Sequence, residues 1–428
     1  MQNLDKKLIQ EIEQFQNTEL KKLLIYLSEN STFYKNHFLK NNIDISGISL
    51  ENLSSIPTTT KDDLHANNWD FLCVERNKIA EYCSTSGTLG LPVTIALTAK
   101  DLERLAYNEY LSFLQTESTS EDIFQLMLAM DKQFMAGIAY YSGIQKLGAA
   151  AIRVGAGNIS LQIDSILRNK PTVLIAVPSF ILKLIEYAKA NNIDLNKTSV
   201  KKIICIGESI RNTDFSLNEL AKRITNNWHV QLFSTYASTE KQTAFTECKI
   251  GKGSHAHPDL LIFEILDEYD KPLPTGQFGE LTITTLGIEG MPLLRYKTGD
   301  ICAYNTEPCA CGSNSLRLSQ IIGRKQQLIK YKGTTLYPTT IYNALNSIDE
   351  IQDYFVEVNT NEINTDDLHL YISVNNPSEI IQQKVSQIIQ ASLRVLPKIN
   401  FVSMEEVLNL QAAISNRKLN KFHDNRKS

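Results

Sequence analysis

Short apolar runs alternate with amphipathic segments through the middle of this chain, and that alternation restricts the fold more than any other feature. DIFQLMLAM (122–130), TVLIAVPS (172–179) and VKKIICIGES (200–209) have strand length and strand composition. GAAAIRVG (148–155) follows a helical stretch, and FILKLIEYAKANN, a helix, separates the last two runs. Strands alternating with helices predict a parallel sheet with helices on its faces. Such sheets bind ligands in the loops at the carboxyl ends of their strands. The small polar turns GES (207–209) and TYASTE (235–240) both follow such strands.

The flanking regions have other textures. Leu4, Leu8, Ile9, Ile12 and Phe15 recur at helical spacing, and so do Leu20, Leu23, Leu24 and Leu27. Asn17 or Thr18 would cap the second of these two helices. From about residue 258 the pattern turns to β, with LLIFEILDE and GELTITTL alternating around the turn KPLPTGQFGE. The last hundred residues read as a small α+β unit. YFVEVN and LHLYISV are its strands, SEIIQQKVSQIIQASLRV is its amphipathic helix, and INFVSMEEV closes the pattern. The boundary falls near IIGRKQQLIK (321–330).

A chain of 428 residues exceeds one hydrophobic core. Its net charge of −4 carries no basic excess, which argues against nucleic acid or an anionic membrane as partner. MQNLDKKLIQEIEQF has no apolar run after its charges, so no signal peptide is expected. No apolar stretch approaches 18 residues, so no spanning helix is expected. Seven cysteines, an odd number in a long chain, point to reduced thiols or metal ligands in a cytoplasmic setting.

YCSTSGTLG (82–90) interleaves hydroxyls with glycines. Alone it is either a solvated turn or a loop whose N–H groups and hydroxyls wrap a phosphate. Its company decides. IGES (206–209), TYASTE (235–240), LLRYKTGD (293–300) and IGRKQQLIKYKGTTLYP (322–338) follow in order. This ordered set resembles the adenylate-forming superfamily of acyl-CoA synthetases, and more narrowly the phenylacetate–CoA ligase family, over nearly the whole chain. The resemblance implies a large α/β N-terminal domain of mixed and parallel sheets flanked by helices (1–324), then a small mobile α+β C-terminal domain (325–428). It implies an acid–CoA ligase that joins a carboxylate to ATP, releases pyrophosphate, and lets the CoA thiol displace AMP.

Site roles follow from the same resemblance. Ser84, Thr85, Ser86, Gly87, Thr88 and Gly90 would form the loop over the β- and γ-phosphates, glycine admitting close backbone approach and hydroxyls adding donors. Thr239 would bond the α-phosphate, and Glu240 would hold Mg²⁺, a hard cation suited to carboxylate oxygen. Taken alone, Thr-Glu after a strand reads as a helix start. Tyr236 would stack on adenine beside Ala237 and Ser238, and Gly207, Glu208 and Ser209 would line the adenine pocket through backbone contacts. Asp300 would accept from both ribose hydroxyls, against a reading as a turn aspartate after Gly299. Arg324 would contact ribose or phosphate. Lys418, in NRKLNKFHDNR (416–426), would be the adenylation lysine, with Lys421 where the family pattern has Arg. A basic tail is otherwise a solvated end. After domain rotation Lys332, Gly333 and Thr334 would approach the pantetheine arm of CoA. Two positions depart from the family pattern. Leu91 stands where the phosphate loop usually carries Lys, and Gln326 and Gln327 stand where the hinge usually carries Asp-Asp.

EPCACGS (307–313) sets Cys309 and Cys311 in a tight turn, and Cys248 precedes His255 and His257 in ECKIGKGSHAHP. Thiolates with one imidazole suit a closed structural Zn²⁺ site, and some members of the resembled family share the pattern. The expected set is Cys248, His257, Cys309 and Cys311. If HAH is extended, His255 shares a face with His257 and is the rival ligand. Unliganded loop thiols are the plain alternative. Cys73, Cys205 and Cys302 read as buried thiols, and Cys83 has no histidine arrangement to make it a nucleophile.

FMAGIAYYSGI (134–144) should contribute to the acyl pocket. Phe134, Tyr140 and Tyr141 would supply an aromatic wall, and Ala136 and Gly137 room for a flat ring, so an aryl or arylacetic acid is expected; the same residues would also serve an ordinary core. The expected partners are thus a carboxylic acid, ATP and CoA, and the resemblance adds a homodimer. Rival readings are an adenylating enzyme that serves a carrier protein or an amine, a nucleotide-binding relative without turnover, and a zinc-dependent interaction module.

Overall fold

Leu20, Leu23, Leu24 and Leu27 lie on one buried face of a single long helix, α1 (Ile9–Asn30), not of a second helix started at Asn17 or Thr18. Neither residue caps. The Thr18 hydroxyl donates back to the Gln14 carbonyl, and the Asn17 side-chain Oδ1 accepts the Leu50 N–H, so the helix runs on. The computed structural model describes residues 7–85, 92–361, 365–412 and 420–426. They divide into two compact units, one holding Met1–Leu217, Ala221–Thr298 and Cys302–Ile321, the other Asn218–Leu220, Gly299–Ile301 and Ile322–Ser428.

The first unit continues with α2 (Thr32–Lys40), α3 (Lys61–Ala66), the antiparallel hairpin β1 (Ile79–Ser84) and β2 (Thr94–Thr98), and α4 (Ala99–Gln115). Thr98 caps α4 reciprocally with Asp101. The alternating segment follows as β3 (Ile123–Leu126), α5 (Met135–Leu147), β4 (Ala150–Arg153), α6 (Ile159–Asn169), β5 (Val173–Ala176), α7 (Pro178–Ala190) and β6 (Lys202–Cys205). After α8 (Glu219–Asn227) come β7 (Gln231–Ser238), β8 (Thr243–Glu247) and β9 (Ser254–His255). β10 (Leu261–Leu266) and β11 (Gly279–Thr285) pair antiparallel, then β12 (Tyr296–Cys302), β13 (Tyr304–Asn305) and β14 (Arg317–Leu318) complete this part of the chain.

One sheet positions most of the loops of interest. Its order is β13-β14-β9-β8-β7-β6-β5-β3-β4, and β4, β3, β5, β6 and β7 run parallel. All four residues of β5 are buried, as expected for a strand covered on both faces. The chain leaves β3 for β4 on one side and returns to β5 on the other. The crevice of such a sheet opens where the order reverses, at the carboxyl ends of β3 and β5. Leu174, Ile203 and Cys205 pack with Ile181, Leu184 and Ile185 of α7, and Cys73, Cys83 and Cys302 are likewise buried.

The second unit contains β15 (Gly323–Arg324), the hairpin β16 (Ile329–Tyr331) and β17 (Thr334–Leu336), α9 (Pro338–Asn346), β18 (Ile351–Thr360), β19 (Asp366–Val374), α10 (Glu379–Leu393), β20 (Lys398–Phe401), α11 (Met404–Ala412) and β21 (Phe422–Asp424). Its sheet order is β20-β19-β18-β21, with β21 parallel to β18. Val356, Leu370 and Ile372 form its core with Val385, Ile389 and Leu393 of α10. INFVSMEEV forms a strand followed by the start of a helix, but it does not close the pattern, because β21 follows and completes the sheet.

Candidate functional site

β6 and β7 are neighbours in the sheet, so their carboxyl ends bring two of the sequence motifs side by side. Gly207 turns the chain after β6 with φ +74°, a conformation that favours glycine. The Glu208 carboxylate accepts from the Ser179 N–H and hydroxyl, both at 2.8 Å, at the start of α7. That side chain therefore locks the loop to the α7 N-terminus. The Ser209 hydroxyl donates to the Arg211 carbonyl at 3.0 Å.

TYASTE is mostly strand, because Thr235 to Ser238 belong to β7. Thr239 and Glu240 lie in the turn between β7 and β8, so the helix-start reading fails: the chain reverses into an antiparallel hairpin. Glu240 meets Lys61, from the first turn of α3, at 4.0 Å. Tyr236 is partly buried, and Lys241 holds its ammonium 3.2 Å from the centre of the Tyr236 ring. A desolvated cation in that position is worth about 2 kcal/mol, which fixes the ring plane.

Ser84 and Thr85 are buried at the mouth of the β1–β2 hairpin. The Ser84 N–H donates to the Gln133 carbonyl, and Thr85 exchanges bonds with Val93 through its N–H and its hydroxyl. This anchors the start of the hydroxyl-rich loop to the segment after β3, where the sheet's crevice opens. Ser86, Gly87, Thr88, Gly90 and Leu91 lie outside the described residues.

In the second unit Asp300 is a strand residue opposite Arg324, not a turn aspartate. The Arg324 Nε donates to its carboxylate at 3.1 Å. Lys332 and Gly333, with φ +48° and +79°, make the tight turn from β16 to β17, which ends at Thr334. The Lys332 ammonium donates to the Leu396 carbonyl at 3.1 Å. Lys418 lies outside the described residues. Lys421 pairs with Asp353 at 3.0 Å.

The Cys/His cluster differs from expectation in one member. Cys248, His255, Cys309 and Cys311 bring their ligand atoms within 4.8 Å of one another. His257 stays out of that group, its Nε2 3.4 Å from the Ser112 hydroxyl. HAH is not one extended face: β9 ends at His255, and His257 begins a turn closed by the Leu260 N–H. His255 is held between β8 and β14, and its Nδ1 meets the Ser315 hydroxyl at 3.0 Å, leaving Nε2 toward Cys311 Sγ at 3.6 Å. Cys248 and Cys309 sulfurs are 3.7 Å apart. A tetrahedral zinc with Zn–S near 2.3 Å requires S···S edges of about 3.8 Å, so the spacing fits. Burial lowers the His255 imidazole to about 4, which keeps it neutral and able to ligate.

Residues 16–289 match the AMP-binding enzyme family. The chain belongs to that family. Among similar curated proteins is the phenylacetate–coenzyme A ligase of Thermus thermophilus, 28% identical over 390 residues covering 89% of this chain and 86% of that protein. The Escherichia coli phenylacetate–coenzyme A ligase is 24% identical over 364 residues, 82% of this chain and 80% of that protein. A solved structure of 2-hydroxyisobutyryl-CoA ligase with 2-HIB-AMP superposes with a TM-score of 0.87 at 20% identity, over 98% of this chain and 91% of that one.

In this AMP-binding enzyme the segment expected to shape the acyl pocket splits by function. Gly137 is needed for packing, since a Cβ there would sit 2.5 Å from the Ala129 carbonyl oxygen. Tyr140 is buried, its ring 6.2 Å from that of Phe113, while Tyr141 carries the Arg153 guanidinium 5.2 Å above its face. Phe134 is 39% exposed at the α5 N-cap, and Ala136 packs on the core. These side chains do not form one aromatic wall. Lys61, Ser179 and Lys241 escaped the sequence reading. Lys241 follows Glu240 directly, and only the hairpin turn folds it back under Tyr236.

Proposed function

We propose that this enzyme is an ATP-dependent acid–CoA ligase that forms an acyl-AMP, releases pyrophosphate, and passes the acyl group to CoA. The observation that carries this reading is the juxtaposition of the Gly207 turn with Tyr236, Thr239 and Glu240 at adjacent parallel strand ends. Backbone groups of 207–209 and the Tyr236 face take the adenine beside Ala237 and Ser238. Thr239 takes the α-phosphate, and Glu240 supplies a carboxylate to Mg²⁺, which absorbs charge as pyrophosphate leaves. Lys61 adds a cation beside Glu240, and the family's loop lysine is replaced in the sequence by Leu91. Ser84 to Gly90 cover the β- and γ-phosphates. Asp300 and Arg324 bind ribose, Lys418 serves adenylation, and Lys332–Thr334 serve CoA from the mobile domain. The acid class is aryl or arylacetic, in keeping with the phenylacetate-activating relatives.

Cys248, His255, Cys309 and Cys311 hold one structural Zn²⁺ with all four positions filled by protein. The homodimer is proposed from the family resemblance. Among the described residues no helix is long and apolar enough to cross a membrane.

The test is incubation with MgATP and phenylacetate, followed by chromatography for the acyl-adenylate, then addition of CoA. The reading expects an adenylate that CoA converts to thioester and AMP. An adenylate that only an amine or a carrier thiol discharges would move the enzyme to another acceptor.

A further inference from the structure

Arg426 was no candidate in the sequence, yet all its guanidinium donors are used. Its Nε and Nη2 donate to the two oxygens of Asp424 in β21. Nη2 also donates to the Gln326 carbonyl at 3.0 Å, and Nη1 to the Leu328 carbonyl at 2.6 Å and to Asp366 at 3.0 Å. The same Asp366 oxygen accepts the Lys330 N–H at 2.6 Å. One side chain thus joins three pieces of the second unit: the strand after residue 420, the start of β19, and the peptides just past Arg324. The planar five-donor fork makes this possible; a lysine ammonium has three donors at a point and cannot span the same acceptors.

The placement has a mechanical consequence. The carbonyl of Gln326 moves with the 326–327 peptide, so pinning it makes that peptide part of the rigid body. β21 is also the strand that the Lys418 segment leads into, and it is tied to β18 through Val356 N–H to Lys421 carbonyl and Asn425 N–H to Val358 carbonyl.

We propose that Arg426 is a positioning residue for adenylation: it locks β21, the strand that follows Lys418 in sequence, to the 326–328 peptides, so that the two move as one piece. This rests on the adenylation reading above. Where the family pattern has Asp-Asp at positions 326 and 327, this segment is held instead through its own backbone carbonyls, which accept from Arg426 at the far end of the unit.

The full-length enzyme and its Arg426→Ala and Arg426→Lys variants separate the possibilities. Two half-reactions are measured: acid-dependent pyrophosphate release, and thioester formation from supplied acyl-adenylate and CoA. Arg426→Ala is expected to lower the first at least tenfold and the second less than threefold. Arg426→Lys, which keeps the charge beside Asp424 and Asp366, is expected to recover melting temperature but less than half of the lost adenylation rate. Hydrogen exchange read by mass spectrometry gives an arm independent of activity. Peptides covering 326–331 and 420–426 are expected to exchange at least fivefold faster in Arg426→Ala. Equal loss of both half-reactions, or full recovery of adenylation by lysine, overturns the proposal. Unchanged exchange in either segment also overturns it. If the wild type adenylates no acid, the activity reading fails by itself, and the exchange arm alone decides the clamp.

Discussion

Replacing Glu109 by Gln tests the electrostatics of the first unit's interior. Glu109 is completely buried on α4, and burial raises its carboxyl to about 8, against a hydrogen bond from Asn108 that lowers it. The folded protein therefore keeps a proton at pH 7 that the unfolded chain has lost. The contribution of that proton to stability is full below the unfolded value, near 4.5, and is lost as pH rises through about 8. A gap of about 3.5 pH units at about 1.4 kcal/mol each sets a ceiling near 5 kcal/mol, and water entry on ionisation reduces it to about 2–5 kcal/mol. For a unit of about 300 residues, unfolding entropy near 0.6 kcal/mol/K converts this to about 3–8 °C. Gln keeps the shape and the oxygen that accepts from Asn108, and it cannot ionise. Melting temperatures of both proteins are measured at pH 5 and pH 8. Between pH 5 and pH 8 about 2.6 pH units of that difference are expressed, so the gap between Glu109→Gln and wild type should grow by about 3–6 °C in favour of Gln at the higher pH. Parallel curves, within about 1 °C, would refute a carboxyl held neutral there.

The metal cluster predicts that Cys309→Ser or His255→Ala lowers bound zinc from one per chain to well below half, by metal analysis, and drops the melting temperature by several degrees. His257→Ala should keep the metal. Glu240→Gln should cut pyrophosphate release by about 10²–10³-fold with the fold intact by circular dichroism, since it removes a charge that matters as pyrophosphate departs. Lys241→Met should raise the KM for ATP by up to about thirtyfold with little change in kcat, because about 2 kcal/mol of cation–π support leaves the Tyr236 ring.

The alternating core was legible because periodicity reports which faces are buried. DIFQLMLAM, TVLIAVPS and VKKIICIGES all contain parallel strands, with ends trimmed by one to four residues. The break at Asn17 was misread for a local reason. A side chain able to cap is equally able to bond within or outside a continuing helix, and Thr18 and Asn17 do one each. His255 and His257 are two residues apart, and their roles depend on β9 stopping between them, which no short-range signal states. Lys61, Lys241 and Arg426 were invisible because each acts on residues brought to it by tertiary folding. The close approach of the Ala129 backbone to Gly137 was not legible, because a missing side chain can make room for a ligand or for backbone and spacing alone does not tell which.

The central claim is tested most directly by pyrophosphate release from MgATP across aryl, arylacetic and medium-chain acids, with and without CoA. The account predicts release with aryl or arylacetic acids, accelerated by CoA and accompanied by thioester. Silence across the whole panel, with ATP still bound, would contradict it and leave a nucleotide-binding protein without turnover.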